Sequence, residues 1–569
     1  MIHDLKHRID VARGLKKADL VLKGGRVVNV ASGEIDHADV AIVRDRIAGL
    51  GTYDGKKNVD VSSKFILPGL IDSHVHIESS MLTPAEFARA ALPHGTTAVF
   101  ADPHEIANVL GEKGIRYMLD ATESLPLDFY FMLPSCVPAT ALETSGAKLA
   151  AADLVPFLKH ERVVGLAEMM NYPGVLSGDG EVLKKLSAFE NSRMEGHAPG
   201  LTGKDLVAYA GTGISSDHEC VSADEAREKV RLGMTIFIRE GSSAKDLEAL
   251  LPAVTPVNSR FFCFATDDFQ ASDLINGSIN LLIKKAVSLG LNPVTAVQMA
   301  TINPAGHYGL KRKGAVLPGY DADIVVIDSF ENCNVEMVFK NGKLVARNNA
   351  CIVPCAGRRR DSINNTVRIR PITRQDIRIK AKTARARVIE LIPDQIETKC
   401  SIMPVTERNG YLVSDVERDI LKVIVLERHK ATGNRGFGLM KGLGLKSGAL
   451  ASTVAHDSHN IITVGADDAD IFVALSRIQK IRGGLVVVNN EKVVAEMPLP
   501  VAGLMSDRPL GDVVRRLERT DRAVKGLGVT VAHPFGTLSF LALPVIPELK
   551  LTDKGLVDVK QFKLVDLFV

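Results

Sequence analysis

The sequence contains no apolar segment long enough to cross a membrane. A membrane-spanning helix needs about 20 consecutive apolar residues, and no run in this chain of 569 residues approaches that length. Residues 4–10 are mostly charged and offer no apolar core for a signal peptide. We therefore expect a cytoplasmic protein that has no membrane partner.

The sequence also lacks a large excess of either charge. Its formal net charge is +3, and 24% of its residues are charged, which is ordinary for a globular protein. Nucleic acid and anionic membrane surfaces select strongly basic proteins. We therefore expect neither partner, and we interpret the basic, turn-rich stretch at 358–365 as a solvated linker.

Cysteine is present but forms no recognisable framework. The seven cysteines are irregularly spaced, and no C-x-x-C motif occurs. This pattern favours free thiols in a reducing compartment over a disulfide-bonded scaffold. Cys333, Cys351 and Cys355 together are one ligand short of a structural zinc site, so we do not expect a zinc cluster there.

The clearest chemical signal is His74-Val75-His76, which follows an apolar run. Side chains alternate along a strand, so both imidazoles would lie on the same side. Imidazole is the commonest metal ligand in proteins, but most histidines bind no metal. Taken alone, the pair could equally be two polar residues at the end of a strand.

Short β-rich runs recur downstream of the H-x-H strand, with helical patterns such as 85–92 and 223–232 between them. These runs are 96–104, 129–134, 163–168, 194–197, 213–218, 235–240 and 261–268. Near-continuous apolar character is typical of strands buried on both faces of a parallel sheet. Eight alternations of strand and helix predict an α/β fold, a (β/α)8 TIM-type barrel.

In such a barrel the carboxyl ends of the strands converge on one face. Six side chains that could bind a metal would meet there: His74, His76, Glu168, His197, His218 and Asp267. Convergence of six such residues by chance is improbable. The sequence therefore predicts a metal site at the barrel mouth.

This arrangement resembles the amidohydrolase superfamily, which has H-x-H on strand one, single histidines on strands five and six, and aspartate on strand eight. Longer phrases, spread over nearly the whole chain, are similar to the adenine deaminase family within it. They are HVHIESSM from 74, ADPHEIANV from 101, AEMMN from 167, GHAPG from 196, SDHE from 216, REGS from 239 and VAHDSHN from 454.

The resemblance implies how the chain is organised around the barrel. Flanking β-rich segments of amidohydrolases pair into one small β-sandwich. We therefore expect a helix and the first part of the sandwich at 1–67, the barrel at 68–311, the second part of the sandwich and a linker at 312–365, and an additional C-terminal α+β domain at 366–569. We also expect a homo-oligomer, a dimer or larger.

The resemblance further implies two divalent metal ions, Mn²⁺ or Fe²⁺ in preference to Zn²⁺. A ligand set of imidazoles and carboxylates without thiolates suits all three. In many relatives a carbamylated lysine on strand four bridges the two ions. This chain has Glu168 instead, which would bridge them directly. The ligands would divide into His74, His76 and Asp267 for one ion, His197 and His218 for the other, and Glu168 for both.

The reaction implied is hydrolytic deamination of adenine to hypoxanthine and ammonia, a step of purine salvage. Hydroxide supplied by the metal ions would attack C6, with Asp267 as general base and His218 as a further catalytic residue. Ring nitrogen N1 also needs a proton donor. In related adenosine deaminases a glutamate after strand five donates this proton, and this chain lacks that glutamate. Glu219 and Glu240 are the candidates, and we choose Glu240. The alternative role for Glu240 is an ion pair with Arg239.

Further polar residues are assigned to the purine substrate: Asp102, His104, Glu219, Arg239, His456 and His459. For the first two, support of the metal ligands is the favoured alternative. We expect Asp268 to cap the helix that follows it. We expect the C-terminal domain to lie over the barrel mouth of its own or a neighbouring subunit, the alternative being a buried histidine cluster without a catalytic duty.

Two other functions compete with adenine deamination. Another amidohydrolase acting on a cyclic amide or an N-acyl C–N bond would share every metal ligand. More remotely, the chain could be a non-catalytic assembly protein, but such relatives have lost ligands that are all present here.

Overall fold

The computed structural model describes residues 2–357, 363–393 and 395–569. Most of the linker expected at 358–365 therefore lies outside the described residues. Within these ranges, none of the helices combines the length and the apolar character that a bilayer span requires.

The chain begins with a helix followed by β-rich segments. These elements are α1 (Ile2–Ala12), β1 (Ala18–Asn29), β2 (Glu34–Val43), β3 (Arg46–Gly51), β4 (Gly55–Asp60) and β5 (Phe65–Pro68). The β1 and β2 strands are antiparallel, and β5 runs parallel to β1. Their buried positions are mainly valine, isoleucine and leucine, which pack well on a pleated surface.

The next strands form a parallel barrel. They are β6 (Leu70–Val75), β7 (Thr96–Ala101), β8 (Asp128–Leu133), β9 (Val163–Met169), β10 (Arg193–Gly196), β11 (Ser216–Asp217), β12 (Thr235–Arg239) and β13 (Phe262–Ala265). The ladders run from β6 to β10 and from β11 to β13. Backbone hydrogen bonds join these ladders into a closed barrel: Ser215 N donates to Met194 O, Asp267 N donates to His74 O, and His76 N donates to Asp267 O. The predicted barrel is confirmed.

Helices fill the connections between the barrel strands. They are α2 (Pro84–Ala91), α3 (His104–Leu110), α4 (Glu112–Ala121), α5 (Ala151–Leu154), α6 (Tyr172–Ser177), α7 (Gly180–Ala188), α8 (Gly203–Ala210), α9 (Ala223–Arg231), α10 (Leu247–Leu250), α11 (Ala271–Leu274), α12 (Ile279–Ser288), α13 (Pro293–Met299) and α14 (Ile302–His307). In α9, for example, the sequence favours a helix because the Ser222 side chain caps the N-terminus by accepting a hydrogen bond from Glu225 N.

After the barrel the chain returns to the N-terminal sheet with β14 (Ile324–Ile327), β15 (Val335–Lys340), β16 (Lys343–Arg347) and β17 (Ala350–Cys351). The β14 strand pairs antiparallel with β5, so the two flanks combine as expected. They form one continuous ladder instead of two separate stacked sheets. This ladder curls, since Ile47 N donates to Tyr320 O and Ala322 N donates to Asp45 O, and its inner face encloses a shared apolar core.

The C-terminal part mixes strands and helices, as expected for an α+β domain. Its elements are β18 (Ile379–Lys380), β19 (Arg385–Leu391), β20 (Thr398–Pro404), β21 (Thr406–Arg408), β22 (Tyr411–Val413), β23 (Ile420–Leu426), β24 (Arg435–Lys441), β25 (Ala449–Ser452), β26 (Ile461–Gly465), α15 (Asp468–Ile481), β27 (Gly484–Asn489), β28 (Lys492–Pro498), α16 (Leu510–Gly526), α17 (Pro534–Leu541), β29 (Leu549–Thr552), β30 (Gly555–Asp558) and β31 (Lys563–Val565). The main sheet has the order β20-β19-β24-β23-β26-β25-β27-β28.

This C-terminal part lies over the mouth of the barrel of the same chain. Two of its contacts are with the segment that follows β8: Asn460 Nδ2 donates to Thr144 O over 2.8 Å, and Thr552 Oγ1 donates to Leu142 O over 2.7 Å. The loop between β25 and β26, residues 453–460, is thereby held against the carboxyl ends of the barrel strands.

Candidate active site at the barrel mouth

The six residues predicted to bind metal meet at the carboxyl ends of the barrel strands. His74 lies near the end of β6, Glu168 lies near the end of β9, and Asp267 follows β13. His76, His197 and His218 each directly follow a strand, namely β6, β10 and β11. All six are buried, with at most 6% of the surface of any of them exposed.

Glu168 lies at the centre of this cluster. Its Oε1 is 3.3 Å from His76 Nε2 and 3.9 Å from His74 Nε2. Its Oε2 is 2.5 Å from His197 Nδ1 and 3.2 Å from His218 Nε2. Each carboxylate oxygen therefore faces a different histidine pair, which is the arrangement that a bridge between two cations requires.

Asp267 completes the half of the cluster that contains the H-x-H pair. Its Oδ1 lies 3.1 Å from His76 Nε2 and 3.8 Å from His74 Nε2. The residue has a left-handed backbone with φ of 56°, which is uncommon for a residue other than glycine and is found often at functional sites. His76 N donates to Asp267 O, so the turn is fixed against β6.

The donor set fits divalent cations. The ligand atoms of His74, His76 and Asp267 lie within 4.8 Å of one another, as do those of His74, Glu168 and His218. Burial alone would raise the pKa of Glu168, but His197 and His218 hold it well below its ordinary value. An ionised carboxylate between histidine nitrogens is the kind of ligand set that divalent cations take.

Residues behind the cluster orient the H-x-H histidines. His74 Nδ1 lies 3.1 Å from Glu195 Oε2, and the Tyr308 hydroxyl lies within hydrogen-bond distance of both Glu195 and Ser73 O. His76 Nδ1 lies 3.1 Å from Asp102 O. Acceptors of this kind fix the tautomer and ring direction of a metal-binding histidine. Glu195 was missed from the sequence, although it shares a side of β10 with His197 two residues later.

Substitution of Glu195 by glutamine is expected to lower metal affinity by about 10–100-fold. The amide cannot supply the negative charge that holds the proton on His74 Nδ1. Metal content after dialysis against graded chelator concentrations measures this change. Tyr308→Phe, which leaves the Glu195 carboxylate in place, should have a smaller effect, and equal metal retention by wild type and Glu195→Gln would contradict the expected role.

Arg239 and Glu219 form the next layer of the mouth. Arg239 donates to both oxygens of Glu219, and its Nη1 lies 3.1 Å from Asp267 Oδ2. Glu219 Oε1 is 3.7 Å from His218 Nε2 and 3.8 Å from His197 Nδ1. Both residues thus lie beside the ligand cluster.

Glu240 does not enter the mouth, so the expectation that it faces the substrate is wrong. Its Oε1 pairs with Lys285 Nζ, and its Oε2 accepts from Leu247 N over 3.2 Å. The alternative of an Arg239–Glu240 ion pair is also wrong. Neighbouring residues on a strand point to opposite faces, and Arg239 takes the inward position.

His104 and His456 line the cavity at the mouth, whereas Asp102 and His459 lie behind them. Asp102 Oδ2 is 2.8 Å from His104 Nδ1, and His459 Nε2 contacts Glu105. Direct substrate contact by Asp102 and His459 is therefore not supported. Their partners, His104 and Glu105, face the cavity instead.

Asp268 does not cap the following helix as expected. Its carboxylate accepts from Ser79 Oγ and lies 3.8 Å from His456 Nε2. The left-handed turn at Asp267 interrupts the alternation of a strand, which explains why two consecutive aspartates both face the cavity.

The cavity has a charged side and an apolar side. The charged side comes from the barrel and from the His456-Asp457 segment. The apolar side comes mainly from the C-terminal domain, through Ile396, Phe540, Leu543 and Ile546, together with Met170 of the barrel. The His456 ring stacks on the Phe540 ring with centroids 4.7 Å apart and planes 23° apart. The cavity therefore presents a polar side and an apolar side to whatever occupies it.

Lys550 fixes the apolar side from behind. It is fully buried on β29, and its Nζ donates to Ile396 O over 2.7 Å and to Phe540 O over 3.0 Å. Burial lowers its pKa to about 7.

Lys550 is expected to make stability rise with pH. Its pKa is lowered in the folded chain, so the unfolded chain binds more protons between pH 7 and about 10. Folding stability should therefore increase by about 1 kcal/mol per pH unit in that window, and Lys550→Met should remove this increment. Urea midpoints at several pH values measure it. Lys554→Met serves as the control, and identical slopes for wild type and Lys550→Met would contradict the lowered pKa.

Both the barrel region and the C-terminal domain match known protein families. Residues 65–345 match the model of the amidohydrolase family, and residues 395–563 match the model described as the adenine deaminase C-terminal domain.

Two curated relatives cover the whole chain. "Adenine deaminase 2" of Carboxydothermus hydrogenoformans is 51% identical over 563 residues, which are 99% of each chain. The adenine deaminase of Methanothrix thermoacetophila is 49% identical over 564 residues, again 99% of each chain. Among solved structures, a β-aspartyl dipeptidase from Fervidobacterium islandicum AW-1 aligns with a TM-score of 0.45 and 17% identity, over 59% of this chain and 98% of that one.

Proposed function

Because this chain belongs to the adenine deaminase family of amidohydrolases, we propose that it hydrolyses adenine to hypoxanthine and ammonia at the barrel mouth. The observation that carries this proposal is the cavity itself. One side is the ligand cluster around Glu168, and the other is the C-terminal domain that the family model describes. Chemistry and purine recognition would thus meet in one space.

Two divalent ions, Mn²⁺ or Fe²⁺ in preference to Zn²⁺, fit the ligand cluster. Imidazole and carboxylate ligands without thiolate suit all three ions. When bound, the ions lower the pKa of water enough to supply hydroxide at neutral pH. The ligands would divide into His74, His76 and Asp267 on one side, His197 and His218 on the other, and Glu168 between them.

Asp267 is placed to act as the general base. Its Oδ1 lies among the ligand atoms, and Arg239 holds its Oδ2. After the oxygen of water has attacked C6 of adenine, the tetrahedral carbon carries both a hydroxyl and the amino group. Asp267 takes the hydroxyl proton and passes it to the amino nitrogen. The C6–N6 bond then breaks, ammonia leaves, and the C6 carbonyl of hypoxanthine forms.

Glu219 takes the role first given to Glu240. Its Oε1 lies 3.8 Å from His197 Nδ1 and 3.7 Å from His218 Nε2. Arg239 holds both of its oxygens and so fixes its direction. Glu219 accepts the proton that the attacking water loses and delivers it to N1, which prevents negative charge from building up in the ring.

The purine ring itself would lie against the apolar side of the cavity. Phe540 offers an aromatic face, and stacking of a base on an aromatic side chain contributes about 1–3 kcal/mol. His104, Glu105, His456 and Asp457 would meet the polar edge of the ring, since their side chains border the same space. His104 Nε2 lies 3.4 Å from Glu105 Oε1 and 3.7 Å from Asp457 Oδ1. Asp457 Oδ2 has no hydrogen-bond partner among the described residues, so it can accept from a ligand.

Substitution of Phe540 by alanine is expected to raise KM for adenine about 10-fold or more, because the stacking surface is removed. The kcat should change less, since the ligand cluster is untouched. Initial rates over a range of adenine concentrations separate the two constants. Phe562→Ala, at an exposed position outside the cavity, is the matched control, and a selective loss of kcat in Phe540→Ala would argue against stacking.

The direct test is the reaction of the purified, metal-loaded protein with adenine. The ultraviolet band of adenine should be lost while hypoxanthine and ammonia appear in equal amounts. Cyclic amides and N-acyl amino acids tested in parallel should not be hydrolysed at a comparable rate. Hydrolysis of either class without deamination of adenine would overturn the proposal, and two metal ions per chain would exclude an assembly protein that has lost its ligands.

We place the reaction in the cytoplasm as a step of purine salvage. The irregular spacing of the seven cysteines and the absence of a C-x-x-C motif are the basis of this proposal. We also retain the expectation of a homo-oligomer without nucleic-acid partners, which size-exclusion chromatography with light scattering tests.

A further inference from the structure

Two cysteines lie in contact outside the barrel mouth. Cys351 ends the edge strand β17, and Cys355 follows it after three residues. Their Sγ atoms are 3.6 Å apart. Cys355 is buried, whereas Cys351 is partly exposed, so one sulfur of the pair is accessible to a small molecule in solution.

The surroundings favour reactivity at Cys351. Its Sγ contacts Cys355 Sγ and lies 3.5 Å from Val353 O. The hydrogen bond from Cys355 lowers the pKa of the Cys351 thiol below its ordinary value, and the positive charge of Arg89 acts in the same direction. A thiol with a lowered pKa that is open to solvent is the form that attacks disulfides. Cys355 remains a protonated thiol, since its own pKa is raised by Cys351 and by burial.

A metal site does not explain this pair. Zinc sites that hold a fold require four ligands. Within the described parts of the chain, the groups of histidine, cysteine, aspartate and glutamate that are close enough to share a metal contain no cysteine. Two thiols in contact without a third ligand fit redox chemistry better than metal binding.

We propose that Cys351 and Cys355 form a reversible dithiol–disulfide site that exchanges with small-molecule disulfides such as oxidised glutathione. The Cys351 thiolate attacks one sulfur of the disulfide, whose S–S bond breaks and releases one glutathione thiolate. Cys355 then loses its proton and attacks Cys351 Sγ in the mixed disulfide. The second glutathione thiolate leaves, so two protein thiols are oxidised and one oxidised glutathione is reduced to two thiols.

The geometry requires only a small movement. A disulfide bond is about 2.05 Å long, and the two sulfurs start 3.6 Å apart. The two cysteines are separated by only three residues, and Ile352 N within this segment donates to Val345 O, so the backbone holds the two sulfurs close together. Arg89 and Glu86 of α2 border the same groove as Cys355.

This groove also lies at the interface between the barrel and the C-terminal domain, which is called the joint below. Glu86 Oε2 accepts from Leu510 N, the first residue of α16, over 2.8 Å. The groove is lined by Arg508 and Pro509 as well as by Cys355. Oxidation of the pair would therefore change covalent structure next to this joint and away from the ligand cluster.

The test uses the metal-loaded, full-length protein and oxidised glutathione. After treatment, the protein is denatured, free thiols are alkylated with iodoacetamide, and trypsin is added. One tryptic peptide, residues 348–358, contains both cysteines. It should appear without alkylation and lighter by two hydrogens, and dithiothreitol should reverse the change. Cys400, which is exposed and unpaired in the described structure, should form only a mixed disulfide with glutathione.

Single substitutions give the matched controls. Cys355→Ser should trap glutathione on Cys351, and Cys351→Ser should leave Cys355 fully open to alkylation. The proposal is overturned if both cysteines stay alkylated under conditions that modify Cys400, or if both carry glutathione. It is also overturned if the double Cys→Ser variant contains one metal ion fewer than the wild type.

Discussion

Exchange of Glu168 for glutamine is expected to lower kcat for adenine by about 10³-fold or more, because supply of hydroxide at neutral pH depends on the bound ions. Each oxygen of Glu168 faces one histidine pair. An amide presents a single oxygen and no charge, so it can serve only one of the two halves. The metal content should therefore fall from two ions per chain to one or none.

Elemental analysis and steady-state kinetics on the same preparation measure this result. Glu181→Gln, an exposed position on α7, is the matched control and should keep both ions and full activity. A Glu168→Gln protein that retained two ions and wild-type kcat would exclude a bridging role for this residue.

Exchange of Glu219 for glutamine is expected to lower kcat by about 10²–10⁴-fold, the range typical of lost general acid–base catalysis. The substitution keeps the size of the side chain but removes its ability to carry a proton from water to N1. Metal content should be unchanged, which separates this variant from Glu168→Gln. Glu219→Asp should recover part of the activity.

Glu240→Gln is the matched control because Glu240 is bonded to Lys285 and Leu247 outside the mouth. Its kcat should stay within a few-fold of wild type. Equal losses in the two variants, or a fully active Glu219→Gln, would contradict the proton transfer assigned to Glu219. The pH dependence of kcat provides a second readout, since one limb of the profile should change in Glu219→Gln alone.

The barrel and its ligand positions could be predicted because they depend on local patterns. Strands buried on both faces have continuous apolar sequences, and their carboxyl ends converge in this fold. Any ligand at such an end is therefore brought to the mouth. Those two rules are sufficient to place His74, Glu168 and His218 close together, although these residues are far apart in the chain.

The predictions for Glu240 and Asp268 were wrong because each depended on which of two neighbouring residues at a strand end faces the barrel mouth. Arg239 and Glu240 both lie at the end of β12, and the sequence pattern does not show which of the two is the last inward position. At Asp267 and Asp268 the left-handed turn breaks the alternation altogether. Backbone geometry at a strand end depends on tertiary contacts, such as the bond from His76 N to Asp267 O, that local periodicity does not contain.

Specific side-chain partners could not be derived from the sequence where the convergence of strand ends does not determine them. His459 and Glu105 contact each other across 354 residues. Periodicity indicates that a segment is buried, but it does not identify the partner. The same limit applies to Glu195, whose role depends on His74, a residue of another strand.

The division of the cavity between barrel and C-terminal domain has a consequence for synthesis of the chain. The ligand cluster lies within residues 74–267, whereas the apolar side depends on Ile396, Phe540, Leu543 and Ile546. A ribosome therefore completes all six of the proposed metal ligands well before it adds the residues that we propose to enclose the substrate. The nascent chain passes through a stage at which metal can enter an open mouth, and adenine can be held only after the last part of the polypeptide has emerged.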